Sequence, residues 1–325
     1  MGFIKRLLLV LSLGYILYFF SERVFWSFWK QEETILVTIL GVILYSLVAY
    51  AIILIIKFFK VKNIYSIFIT GAIFGWLDEG LLTTTLYGIE GNSFPLSISW
   101  TGLAWHALIS FTLGFYLINL YINKNQKIKL VLLSIFIGLF WSLWSIFWKS
   151  EDPSLNISFE SFLIHSLVSS FLLIISFIYF NKFIGKDFNT KLAEKIIVPL
   201  LLIIYYITVT YLANPTSLVI LPILLVLSFL ILYKNKKMET KNLFTDKIKS
   251  NNFNYLILII IPLVASAFYF LIYNFNIVFQ SNLIVYYITM PLGFLAFVYS
   301  TIKIFSKNTY KLPIKEKNFQ NLFKK

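Results

Sequence analysis

The chain has no cysteine, only two histidines, and few charges: 13% of its 325 residues are Asp, Glu, Lys or Arg, against roughly a quarter in soluble domains. The missing thiols exclude disulfides, iron–sulfur clusters and a cysteine nucleophile. The scarcity of charge excludes an ordinary water-soluble globule. Long polar segments are also lacking. The longest is the basic stretch from Lys234 to Asn252, too short for a soluble catalytic domain, so any chemistry belongs to the apolar segments and their mouths. What is abundant is hydrophobic residue, 59% of the chain. The net charge of +14 would suit nucleic acid if the basic residues shared one soluble face. They fall instead in short clusters between apolar runs, so the expected partners are membrane lipids and no nucleic acid.

Ten apolar runs reach the roughly 20 residues needed to cross a bilayer: residues 3–21, 34–57, 64–88, 96–121, 129–148, 158–181, 196–213, 217–233, 254–275 and 282–304. The pattern predicts an all-α, polytopic bundle of about ten spans. Lys5 and Arg6 precede the first run, but no small-residue cleavage site follows Phe20, so it reads as a retained signal anchor. If the N-terminus is cytoplasmic, the alternate loops hold every one of the 28 basic residues except Arg23, Lys30 and Lys149. Cytoplasmic loops are enriched in Lys and Arg, and a miscounted span would scramble the alternation from that point on. Both termini are therefore expected in the cytoplasm of a multi-pass cell-membrane protein.

The organisation reads as a six-helix half over residues 1–181, a basic linker over 182–195, a four-helix half over 196–304, and a basic tail over 305–325. The second half has a proline in each run, Pro199, Pro222, Pro262 and Pro291, and no ionisable residue in the apolar cores, which suits scaffold. The first half holds both histidines, all eight tryptophans, and nine of the 14 acidic residues on its outer side: Glu22, Glu32, Glu33, Asp78, Glu79, Glu90, Glu151, Asp152 and Glu160. A rise of 1.5 Å per residue puts Glu79 about 14 Å, His106 about 15 Å, and His165 and Trp141 about 10 Å below the outer ends of their spans. The ionisable three lie on small or polar helical stripes: Gly71, Gly75, Glu79, Thr83; Ser99, Gly102, His106, Ser110, Gly114; and Ser158, Ser161, His165, Ser169. Such stripes face other helices. A carboxylate at that depth costs several kcal/mol unless it is paired or functional.

Glu79, His106 and His165, with Asp78 beside Glu79, are thus the candidate catalytic residues. Trp105, Trp141, Trp76 and Glu22 are the candidate substrate contacts. Asp78 sits about 100° round the helix from Glu79, and the glycine stripe favours Glu79 as the one facing the layer. His106, His165 and Glu79 are a possible ligand set for a divalent metal such as zinc. Without metal, Glu79 is a general base. Either version suits a hydrolase acting on a lipid-like or membrane-presented substrate. A transporter or flippase using the same groups for coupling is the alternative, and a haem b held by His106 and His165 is the third. Asp78-Glu79, His106 and His165 follow one another in the order of parts found in the glutamate-type CAAX-processing membrane proteases. Thr83, Gly102 and Ser169 stand where that motif has Arg, Phe and Asn, so the likeness is one of parts and not of membership.

Overall fold

The computed structural model describes residues 1–30, 33–88, 93–151, 155, 157–184, 188–245 and 251–306. Glu32, Glu90, Asp152, Lys247, Lys249 and the lysines beyond Lys303 lie outside the described residues. The described chain is all-helical, and each of the ten apolar runs forms a helix. We label them α1 Phe3–Trp26, α2 Ile35–Phe58, α3 Ile64–Leu77 with its continuation Asp78–Leu82, α4 Ile98–Asn123, α5 Lys127–Glu151, α6 Phe159–Phe183, α7 Leu192–Ala213, α8 Ser217–Met238, α9 Asn252–Asn274 and α10 Ser281–Ser306. Among the described residues nine of these are long and apolar enough to span a membrane. The remaining one is α3, which carries the acidic pair and is almost wholly buried. The protein is a multi-pass, membrane-embedded helical bundle.

Helix starts follow local chemistry. Thr34 opens α2 by accepting from the Val37 amide, Asn63 opens α3 by accepting from Ser66, and Ser158 opens α6 by accepting from Ser161, each satisfying an amide the helix leaves unpaired. Most ends extend beyond the sequence-based limits, but α3 with its continuation stops at Leu82, short of the expected 88, so Glu79 lies within about one turn of its end and not at the expected depth. The apolar pattern stops at Tyr233, yet α8 continues to Met238, because its lysines project outward while Asn235 turns in to Asn63 and to the Phe59 carbonyl. In α9 a 3-10 turn at Ile257–Ile259 precedes Pro262, whose missing N–H interrupts the regular ladder.

One end of the bundle is basic and tied by polar links. Arg6 pairs with Glu194 at 2.7 Å, Asn123 donates to Asn181, Asn254 donates to Asn125, and the Leu243 amide donates to the Val61 carbonyl. The two halves of the sequence interlock in space. α3 packs on α4, and α8 and α10 lie against α3; α9 packs on α5 and α6; α10 covers α4. Helix α7 sits at the periphery with Ile196, Ile197, Leu200, Leu201, Ile203 and Ile204 exposed, the apolar surface a bilayer covers. Close approach has a local cause: a Cβ on Gly75 would collide with the Gly102 carbonyl and the His106 Cβ, and one on Gly102 would meet the Trp76 ring at 2.6 Å. These glycines let α3 lie directly on α4.

Candidate functional site

Three segments meet at the end of the bundle opposite the basic one, and all three leave α-helical winding where they do. α1 has a π-helical turn over Phe19–Arg23, α3 one over Asp78–Leu82, and α4 is π-wound over Ile98–Leu117. The Thr83 amide closes on the Asp78 carbonyl, five residues back. Such winding is rare and recurs at functional sites.

His106 is the centre. Its Nε2 lies 2.5 Å from Glu79 Oε1 and its Nδ1 lies 3.2 Å from Asp78 Oδ2 and 3.0 Å from Ser21 Oγ. Two sequence-adjacent carboxylates therefore take the two nitrogens of one imidazole. The expectation that only Glu79 would face the layer is corrected here: the ring stands between the two side chains, so an angular offset between them brings both into contact. Asp78 and His106 are buried, and one oxygen of Asp78, Oδ1, is buried without a hydrogen-bond partner among the described residues. Tyr45 links this cluster to Glu22, its hydroxyl standing 2.7 Å from Asp78 Oδ2 and 2.7 Å from Glu22 Oε1. A hydroxyl has one hydrogen to donate, so Tyr45 couples the two carboxyl groups as alternative acceptors. Trp26 Nε1 donates to Glu22 Oε2 at 3.0 Å.

The second oxygen of Glu79 is held by threonines. Thr83 donates to it at 3.4 Å and Thr85 donates at shorter range. The turn between them sets Thr84 at φ 62°, a left-handed conformation that is a genuine outlier for a β-branched residue. That strained residue lets both neighbours reach the same carboxylate, and such strain gathers at functional sites.

Ser21, Glu22, Glu79, Thr83, Thr85 and His106 border a cavity of about 730 Å³ whose remaining wall is chiefly aromatic. Trp105 lines it, and its indole N–H is buried without a hydrogen-bond partner among the described residues. A second cavity of about 460 Å³ shares Glu22, Trp26, Lys30 and Thr83 and extends to Tyr45 and Arg23. Beside it the buried guanidinium of Arg23 binds Glu33 in a fork, at 2.5 and 3.0 Å. Burial alone would raise the Glu33 carboxyl, but that fork, with Thr38 and Tyr18, holds it below the usual range. Lys30 is held below the ordinary lysine range, chiefly by burial.

Other expected members stand apart. His165 is buried, but its Nε2 donates to the Arg23 carbonyl at 3.1 Å and its ring packs on Trp29 and Trp141. The set His106, His165 and Glu79 is therefore not assembled; Asp78 stands where His165 was expected, with Asp78, Glu79 and His106 each offering a ligand atom within 4.8 Å of the others. Trp141 is enclosed by Phe19, Phe162 and His165, and Trp76 donates to the Ile98 carbonyl against Phe297. Neither borders the cavity. Sequence reasoning missed Ser21 and Tyr45; the one available signal was a tyrosine-serine pair, Tyr45-Ser46, inside the apolar α2. No family model, no curated protein and no solved structure matches this chain.

Proposed function

We propose that the chain is a membrane-embedded hydrolase in which Glu79 and His106 form the acid–base pair, acting on a substrate that enters the aromatic cavity. The observation that carries this reading is the Glu79–His106 contact, 2.5 Å long, at the edge of a cavity large enough for a small-molecule ligand. Asp78 and Ser21 hold Nδ1 and so orient the ring, the role a third group plays in acid–base triads. In the reaction a water bound at Glu79 forms the new bond to an acyl or phosphoryl centre. Its proton passes to the Glu79–His106 pair, which returns one to the departing alkoxide or amine. The indole N–H of Trp105, without a partner among the described residues, is a donor available to the oxygen on which charge develops.

The basic end is the cytoplasmic one by the Lys/Arg bias of the loops, so both termini are cytoplasmic and the cavity serves the outer leaflet. A transporter needs a passage onward to the basic end. Below His106 the interior is filled by a file of phenylalanines, Phe74, Phe111, Phe115 and Phe180, with successive ring centroids 6.0, 5.3 and 5.4 Å apart, which favours hydrolysis over transport. A bis-histidine haem draws no support, since both nitrogens of His106 are engaged by protein groups.

The test is turnover by purified protein in vesicles supplied with fluorogenic lipid esters, amides and phosphodiesters. At least one class is expected to be cleaved, with Glu79→Gln and His106→Asn inactive. Cleavage of none above the Glu79→Gln background overturns the reading.

A further inference from the structure

The cavity wall and its charges specify a ligand class. Five of the eight tryptophans of the chain border it: Trp26, Trp100, Trp105, Trp144 and Trp148. Trp105 and Trp144 centroids are 4.5 Å apart, Trp100 and Trp144 6.3 Å apart, and Trp26 is stacked on Trp148 at 4.7 Å; Phe25, 5.2 Å from Trp144 and 5.9 Å from Trp148, joins the two groups into one surface. Three carboxylates, Glu22, Glu79 and Glu151, border the same space, and Lys30 is the one Lys or Arg there among the described residues. An anionic headgroup would meet three carboxyl groups against one amine, whereas a cation meets carboxyl groups and indole faces together. Indole is the strongest aromatic partner for a cation, and cages of such rings select ammonium groups. The wall already accepts one, since Lys30 Nζ stands 3.0 Å from the centroid of the Trp26 ring.

From this juxtaposition we infer that the cavity binds an ammonium cation, a primary or quaternary ammonium headgroup, with Lys30 occupying the Trp26 face until the ligand displaces it. The inference deepens the reading of this cavity as the substrate site and rests on that reading. Binding is measured apart from turnover, so either can fail alone.

The experiment titrates the purified full chain in maltoside detergent with tetramethylammonium, dodecyltrimethylammonium and dodecyl sulfate, following tryptophan fluorescence and binding heat. Saturable binding of an ammonium probe and none of dodecyl sulfate is expected. Comparable affinity for tetramethylammonium identifies a free solute as the source of the headgroup, and binding of the chain-bearing probe alone identifies a lipid; both support the site. Trp26→Ala should weaken binding roughly 2- to 30-fold, the range of one cation–π contact. Lys30→Met lies beyond the end of α1 and removes the competing cation, so it should tighten binding. Equal binding of the sulfate and ammonium detergents, no saturable ammonium binding, or unchanged affinity in Lys30→Met overturns the inference.

Discussion

Nε2 of His106 lies 2.5 Å from Oε1 of Glu79, a contact between residues of two helices brought together where both are π-wound. Because the two groups share one hydrogen bond, they are expected to work as one unit. Glu79→Gln and His106→Asn should each abolish hydrolysis, and the double variant should be no worse than either single one. Additive losses in a turnover assay would show that the two act separately.

Removing Glu33 leaves the guanidinium of Arg23 buried and unpaired, so Glu33→Ala should destabilise the fold by roughly 3 kcal/mol or more. The pair also gives stability a pH dependence of known sign. The Glu33 carboxyl titrates below its ordinary 4.5 in the folded protein, so its contribution is fully present above that value. It is lost as pH falls through 4.5 and then through the lower folded value. Melting temperature in detergent, followed downward from neutral pH, should fall across that acid window and do so less in Glu33→Gln.

Gly75 sets the approach of α3 to α4. Gly75→Ala places a methyl against the Gly102 carbonyl and the His106 Cβ, and overpacking of this kind costs about 1–3 kcal/mol. The helices must part to accept it, so turnover should fall along with the melting temperature. An unchanged melting temperature would show that the contact is looser than the geometry requires.

The absence of cysteine makes the orientation directly measurable. Asn276→Cys, exposed at the cavity end, should react with a membrane-impermeant thiol reagent on intact cells. Lys237→Cys, exposed at the basic end, should react only after lysis. The opposite pattern inverts the topology.

The class of molecule is legible in the sequence. Spanning length, apolar content and the alternation of basic loops, broken only by Arg23, Lys30 and Lys149, are one-dimensional properties, and each of the ten runs contains a helix. Depth along a helix is also one-dimensional, but it is counted from an end, and Glu79 lies nearer the end of α3 than a run continuing to 88 implied. Which residues meet depends instead on azimuth and on neighbours distant in sequence, and those emerge with the packed fold. The π-helical winding of α4 and the turn at Asp78–Leu82 change the angle at which side chains leave the axis, so stripes drawn at α-helical spacing misjudge their partners. Asp78 joined Glu79 because the imidazole entered between them, and Ser21 and Tyr45 reached the cluster from helices on which only the polar pair Tyr45-Ser46 stood out. His165 shares the depth but faces the Arg23 carbonyl, since the end of α1 stands where the common site would have been.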